Sequence, residues 1–146
     1  MGHTLLIFAW VYLAMTAIAL WESHIEGRNA WGKGKLGWKV KILGFTLHAY
    51  HFYLFWVMIP IFLTLPFVIF GFDLRIFGII LSAYFSGTIL EDFLWYVFNP
   101  VVKLREFYTP FSDYYPWIKI GGKKIIPVAY LINLILALLS WFFIWR

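Results

Sequence analysis

Between Ile42 and Phe70 the chain runs for 29 residues without an Asp, Glu, Lys or Arg. That is more apolar chain than a small soluble core can cover, and it reads as a membrane span. Three further runs share its character. Thr4 to Trp21 is uncharged over 18 residues, Ile76 to Phe98 carries only Glu91 and Asp92, and Ile125 to Trp145 carries no charge. The pattern predicts an all-α polytopic membrane protein: four transmembrane helices in a bundle, with interfacial loops on one side. The expected spans are about 4–21, 42–70, 76–98 and 125–145, in one domain covering 1–146. Composition agrees, since 63% of residues are apolar and 13% charged, where a soluble domain is nearer a quarter charged. No internal repeat is apparent.

Each span carries its own signals. The first competes with a cleaved signal peptide, but it lacks a basic lead-in and is followed by bulky Trp21-Glu22. The second, as one helix, would be roughly 43 Å long against a ~30 Å hydrocarbon core. Pro60 and Pro66 therefore predict kinks, and the first turns are expected in the headgroup region. Asp73 is a candidate N-cap for the third span. Ser82, Ser86 and Gly87 are small enough to admit a neighbouring helix closely. Between spans one and two, Gly27, Gly32, Gly34 and Gly37 argue against a long helix. Trp31 and Trp38, set among basic residues, predict a segment lying on headgroups. The absence of cysteine excludes disulfides, iron–sulfur clusters and thiol catalysis.

Basic residues set the orientation. Arg28, Lys33, Lys35, Lys39 and Lys41 precede span two, and Lys103, Arg105, Lys119, Lys123 and Lys124 lie between spans three and four. Those are ten of the chain's twelve Lys and Arg, so the positive-inside rule places loops 22–41 and 99–124 in the cytoplasm and both termini outside. The expected location is the cell membrane, multi-pass. The expected partner is a bilayer with anionic headgroups, and a homo-oligomer or a larger membrane complex is the expected protein context. The net charge of +5 is spread over these loops and does not imply nucleic acid.

In that topology the polar residues converge. Glu22 and Glu26 close span one, His48 and His51 open span two, and Glu91 and Asp92 lie about seven residues, roughly 10 Å, before the end of span three. Carboxylates and imidazoles projecting from facing helices are the raw material of bundle metal sites. The candidate ligands are Glu22, His48, His51, Glu91 and Asp92, for a divalent metal such as Fe, Mn or Zn. Glu26 and Asp92 are the candidate catalytic acid–base groups. Asn99 and Trp95 are candidate supporting residues. The bland alternative is that Glu22 and Glu26 pair with nearby cations, that His51 makes an ordinary intrabundle hydrogen bond, and that Asn99 only caps its helix before Pro100. Glu91 and Asp92 resist that reading, because short carboxylate stems cannot snorkel to water.

The run Glu91-Asp92-Phe93-Leu94-Trp95 through Asn99-Pro100 resembles a motif of a family of small four-span prokaryotic integral membrane proteins of unknown function. Trp21-Glu22, Ile25-Glu26-Gly27, Trp31, Tyr50-His51, Pro116-Trp117, Pro127 and Tyr130 are similar to that family too. Its pattern has His after Pro-Trp, where this chain has Ile118. The resemblance implies Glu22, Glu26, His51, Glu91, Asp92 and Asn99 as the residues of interest, and it implies no activity.

The leading functional expectation is a membrane-embedded metal-binding protein, with a metalloenzyme acting on a lipid or other apolar substrate as its catalytic form. The alternatives are a non-catalytic accessory subunit of a larger membrane complex, and a proton or ion pathway through the buried carboxylates.

Overall fold

A computed structural model describes residues 2–31, 36–42 and 45–146. Gly32, Lys33, Gly34 and Lys35, which entered the loop and orientation arguments, lie outside the described residues.

The chain is mostly helical, with four helices long and apolar enough to cross a membrane: α1 (Gly2–Glu26), α2 (Ala49–Phe70), α3 (Leu74–Phe98) and α4 (Val128–Trp145). Two antiparallel hairpins precede α2 and α4: β1 (Lys39–Ile42) with β2 (Phe45–His48), and β3 (Trp117–Ile120) with β4 (Lys123–Pro127).

The hairpins shorten two expected spans. The apolar runs begin at Ile42 and Ile125, but helix begins only at Ala49 and Val128. Phe45-Thr46-Leu47 alternates with period two and pairs back onto Ile42, Lys41 and Val40. At the second hairpin, Gly121 and Gly122 hold φ of +56° and +78° between Ile120 and Lys123, the positive-φ pair of a two-residue turn. Hydropathy alone does not distinguish an apolar strand from the first turns of an apolar helix.

α3 is the central helix, with α1 and α4 each packed along it. On α1 the buried residues Val11, Met15, Ala19, Glu22 and Glu26 recur at helical spacing on one face. α3 answers with Ala83, Gly87, Glu91 and Trp95. At Gly87 an added Cβ would stand 3.0 Å from Met15 Cγ. On another side of α3, Ser82 Oγ donates to the Ala137 carbonyl at 2.8 Å, and Ser140 Oγ donates to the Gly78 carbonyl at 2.8 Å. Tyr12 donates to Ser86 Oγ at 2.9 Å. The expectation that Ser82, Ser86 and Gly87 permit close helix approach is therefore realised. Asp73 caps α3 by accepting from the Ile76 N–H at 2.8 Å.

α2 is distorted rather than simply kinked, with residues Phe52–Met58 π-helical just before Pro60. In that register the Ile59 N–H reaches the Leu54 carbonyl, so the next donor, owed to Phe55, would come from position 60. Proline has none. The Tyr84 hydroxyl donates to the Phe55 carbonyl instead, and this links α2 to α3.

Two hydrophobic clusters result. Val11, Met15 and Ala83 centre the first, within the spans, with Phe55, Ile59 and Leu63 of α2 against them. Trp95, Tyr96, Val102, Phe107 and Tyr115 centre the second, beneath the connector between α3 and α4. Ala83, Glu91 and Trp95 follow one another along α3, so the polar residues sit between the two clusters.

Candidate metal centre

α1 ends where Gly27 turns to φ +52° and its N–H bonds the Ser23 carbonyl at 3.2 Å. That fixes Glu22 and Glu26, four residues apart, on the last inward-facing turns. Hairpin β1–β2 is joined to α2 through Ala49, whose N–H bonds the Trp38 carbonyl at 3.0 Å, and places His51 opposite them. His51 Nε2 lies 4.0 Å from Glu22 Oε1 and 3.8 Å from Glu26 Oε1. One ligand atom from each of the three lies within 4.8 Å of the others, and all three side chains are buried. Separations of 3.8 and 4.0 Å suit two atoms each about 2.1 Å from a common ion at an open angle. A buried Glu22–Glu26–His51 group of this geometry could hold a metal ion.

These residues line a cavity of about 20 Å³, with Glu91, Asp92 and Trp95 completing its wall. That is room for about one water molecule or one ion. Glu91 is buried and reaches towards Glu22. Asp92 is held differently. Tyr115 donates to its Oδ1 and Oδ2 at 2.8 and 2.6 Å, and Tyr130 donates to Oδ2 at 2.5 Å. The adjacent carboxylates thus point to different partners, as the ~100° step between neighbouring helix positions requires. Glu91 faces α1, and Asp92 faces α4 and the connector.

Four carboxyl groups in one desolvated volume repel one another strongly unless protons or a cation offset them. Trp95 adds a second requirement. The residue lines the cavity, and its indole N–H is buried with no hydrogen-bond partner among the described residues. Leaving a donor so costs about 1–3 kcal/mol, which an oxygen held in the cavity would offset.

The expected residues thus separate. Glu22, Glu26 and His51 form the compact group, with Glu26 as a member of it. Glu91 and Asp92 line the same cavity, Asp92 through its two tyrosines. His48 is the last residue of β2, not part of a helical turn, and does not line this cavity. Its ring sits edge-on to Trp31, with centroids 6.4 Å apart. Asn99 organises the exit of α3. Its amide donates to the Gly27 carbonyl at 2.9 Å and its Oδ1 accepts from the Val101 and Val102 N–H groups at 3.0 and 2.9 Å.

Trp31, Tyr114 and Tyr115 carried no site assignment in the sequence. Trp31 is half-buried within the protein. It stacks on His51 at 4.3 Å between ring centroids and donates from Nε1 to the Thr46 carbonyl at 2.8 Å, with φ at +55°. A non-glycine residue in that region is uncommon and clusters at functional positions. Burial and the nearby Asp92 hold the Tyr114 and Tyr115 phenols well above the usual phenol range, so both stay neutral donors. Trp31 and Tyr130 were visible beforehand only through the family resemblance, and Tyr114 and Tyr115 not at all as site residues.

Comparison with protein-family models, with curated proteins and with solved structures finds no match.

Proposed function

We propose that this chain is a multi-pass membrane protein, a four-helix bundle that binds a divalent metal ion through Glu22, Glu26 and His51, with Glu91 beside them. The observation that carries the reading is the buried three-residue group itself, which meets across the α1–α2 contact around a cavity of ionic size. One imidazole with two or three carboxylates favours Fe, Mn or Zn over copper. Such an ion would act as a Lewis acid on an oxygen-bearing group brought to it. Asp92, oriented by Tyr115 and Tyr130, is the acid–base group closest to hand, which supports a metalloenzyme for an apolar substrate. The positive-inside rule, applied to the connectors, puts this centre near the cytoplasmic leaflet.

Elemental analysis of protein purified in detergent tests the reading. About one Fe, Mn or Zn per chain is expected in the wild type, with at least a tenfold loss in His51→Ala and in Glu22→Gln that retain the wild-type helical content by circular dichroism. Wild-type protein with no stoichiometric metal, even after incubation with each ion, removes it.

The accessory-subunit reading is favoured by one observation: no residue in the apolar window of α2 is buried, which leaves that helix a lateral face for a partner. Purification from membranes in native form as a lone oligomer counts against it.

A further inference from the structure

A second cavity, of about 310 Å³, adjoins the polar one and shares Trp31, His51, Asp92 and Tyr114 with it. α2 supplies Phe55 and Trp56 to its wall, and α3 supplies Tyr84, Phe85 and Thr88. From α4 come Ala129, Ile132, Asn133 and Leu136, at the i, i+3, i+4, i+7 spacing of one helix face. It is therefore a cleft between α2 and α4, floored by α3. Trp56 and Ile132 are 66% and 44% exposed, so its rim stands on the surface that faces lipid if these helices cross a membrane.

The cleft is polar at one end and apolar along the rest. Asp92 and its tyrosines stand at the shared end. Asn133, one turn beyond Tyr130 on α4, makes no side-chain hydrogen bond among the described residues. An amide on an otherwise apolar helix face gains by finding a partner, and from the cleft wall Asn133 offers one to a polar ligand atom. The neighbouring carboxylates disfavour an anion.

We infer that the cleft binds a single aliphatic chain with a neutral oxygen-bearing head, a long-chain alcohol or its carbonyl equivalent. The chain enters sideways from the bilayer between α2 and α4, and the head lies against the polar cavity. The inference deepens the metal reading by naming its substrate class, and it depends on that reading only for what happens at the head. Two-helix walls with a polar end are what such a ligand requires, since ligand sites are mostly apolar with a few placed polar groups.

The test uses the full-length protein in nanodiscs and a long-chain alcohol carrying a mid-chain diazirine. After photolysis, label is mapped by peptide mass spectrometry, with unlabelled alcohol as competitor, and metal is measured on the same samples. Competable label is expected on the peptides holding Phe55–Trp56 and Ile132–Leu136. Filling the cleft with Leu136→Trp or Ile132→Trp is expected to lower it about tenfold, the equivalent of about 1.4 kcal/mol. Leu138→Trp, on an exposed face outside the cleft, is expected to leave it unchanged. Glu22→Gln, which lines the polar cavity but not the cleft, is expected to lose metal while the label persists, so failure of the metal reading and failure of this one are separate results. Label that is not competed, spreads over every exposed apolar residue, or survives both cleft-filling variants overturns the inference.

Discussion

At the scale of single residues, the connector between α3 and α4 is held by a few charge contacts whose effect can be tested by pH. Arg28 donates to Glu106 from Nη2 at 2.8 Å and from Nη1 at 3.3 Å, and its Nη1 also reaches the Val101 carbonyl at 3.0 Å. The Glu106 carboxyl is lowered from 4.5 to about 2, first by the hydrogen bond from Arg28 and then by the Lys103 backbone N–H. Between those values the unfolded chain binds more protons than the folded one, so acid favours opening. The contribution is fully present above pH 4.5 and is lost as pH falls through about 2. Pepsin digestion of detergent-solubilised protein is expected to cut residues 99–109 faster as pH drops through this window. In Glu106→Gln the segment is expected to be cut readily throughout, with a flatter profile. Identical profiles for the two proteins would show that the pair does not hold the connector. None of this pairing was legible in the sequence. Arg28 and Glu106 lie 78 positions apart, and Lys124, which entered only the orientation count, binds Asp113 at 2.7 Å and the Thr109 carbonyl at 2.5 Å. The carboxylates of the site were legible for the opposite reason. A charge in an apolar run stands out before its partner is known, whereas a tyrosine or tryptophan there does not. Hence Glu22, Glu26, His51, Glu91 and Asp92 stood out, Trp31 did so only through the family resemblance, and Tyr114 and Tyr115 did not.

At the scale of elements, the contacts of α3 separate its two glycines, Gly78 and Gly87. A Cβ at Gly78 would stand 2.6 Å from Ile144 Cγ2 and 2.9 Å from Ile144 Cβ, whereas at Gly87 its nearest neighbour is Met15 Cγ at 3.0 Å. Ile144 is β-branched and stiff at that atom, while an unbranched methionine can move aside. Gly78→Ala is therefore expected to cost about 1–3 kcal/mol of overpacking, and Gly87→Ala clearly less. Thermal unfolding in detergent, followed by tryptophan emission, reads the order of the midpoints; equal midpoints would mean that α3 and α4 are not packed so closely. Of the two, only Gly87 was singled out in the sequence, because it sits with Ser82 and Ser86. The helices themselves were legible from length and apolarity. Their starts were not, because the strand residues Phe45 and Leu47, or Ile125 and Ile126, are as apolar as the helices they lead into. The π-helical stretch before Pro60 was likewise hidden, since a proline announces a distortion without saying which form it takes.

At the scale of the whole molecule, the apolar surface is the ordering fact. The helices bury small residues and the polar cluster against one another, and turn Leu5, Trp10, Phe62, Val68 and Phe143 outward. That inversion is what a bilayer as solvent produces, because the hydrophobic effect drives the helices into lipid and leaves association to close packing and hydrogen bonds. It also explains why the membrane class could be read from hydropathy while the pairing of helices could not: α3 is central because of Gly78, Ser82 and Gly87, which a hydropathy profile barely registers. Orientation is a separate property, set by the charged connectors. Arg28 and Lys124 are engaged within the protein, but Lys39, Lys41, Lys103, Arg105, Lys119 and Lys123 remain exposed on connectors that share one side. The turn between α2 and α3 offers only Arg75, at the start of α3. On the proposed orientation, the positive-inside rule predicts that turn outside the cell. Because the chain has no cysteine, single introduced thiols report this without background. Phe72, 66% exposed in the α2–α3 turn, and Ile120, 68% exposed in the β3–β4 hairpin, are suitable positions. With a membrane-impermeant maleimide, Phe72→Cys is expected to label on intact cells and Ile120→Cys only after lysis. The reverse pattern would invert the molecule and place the Glu22–Glu26–His51 centre near the outer leaflet, where its metal would come from outside the cell.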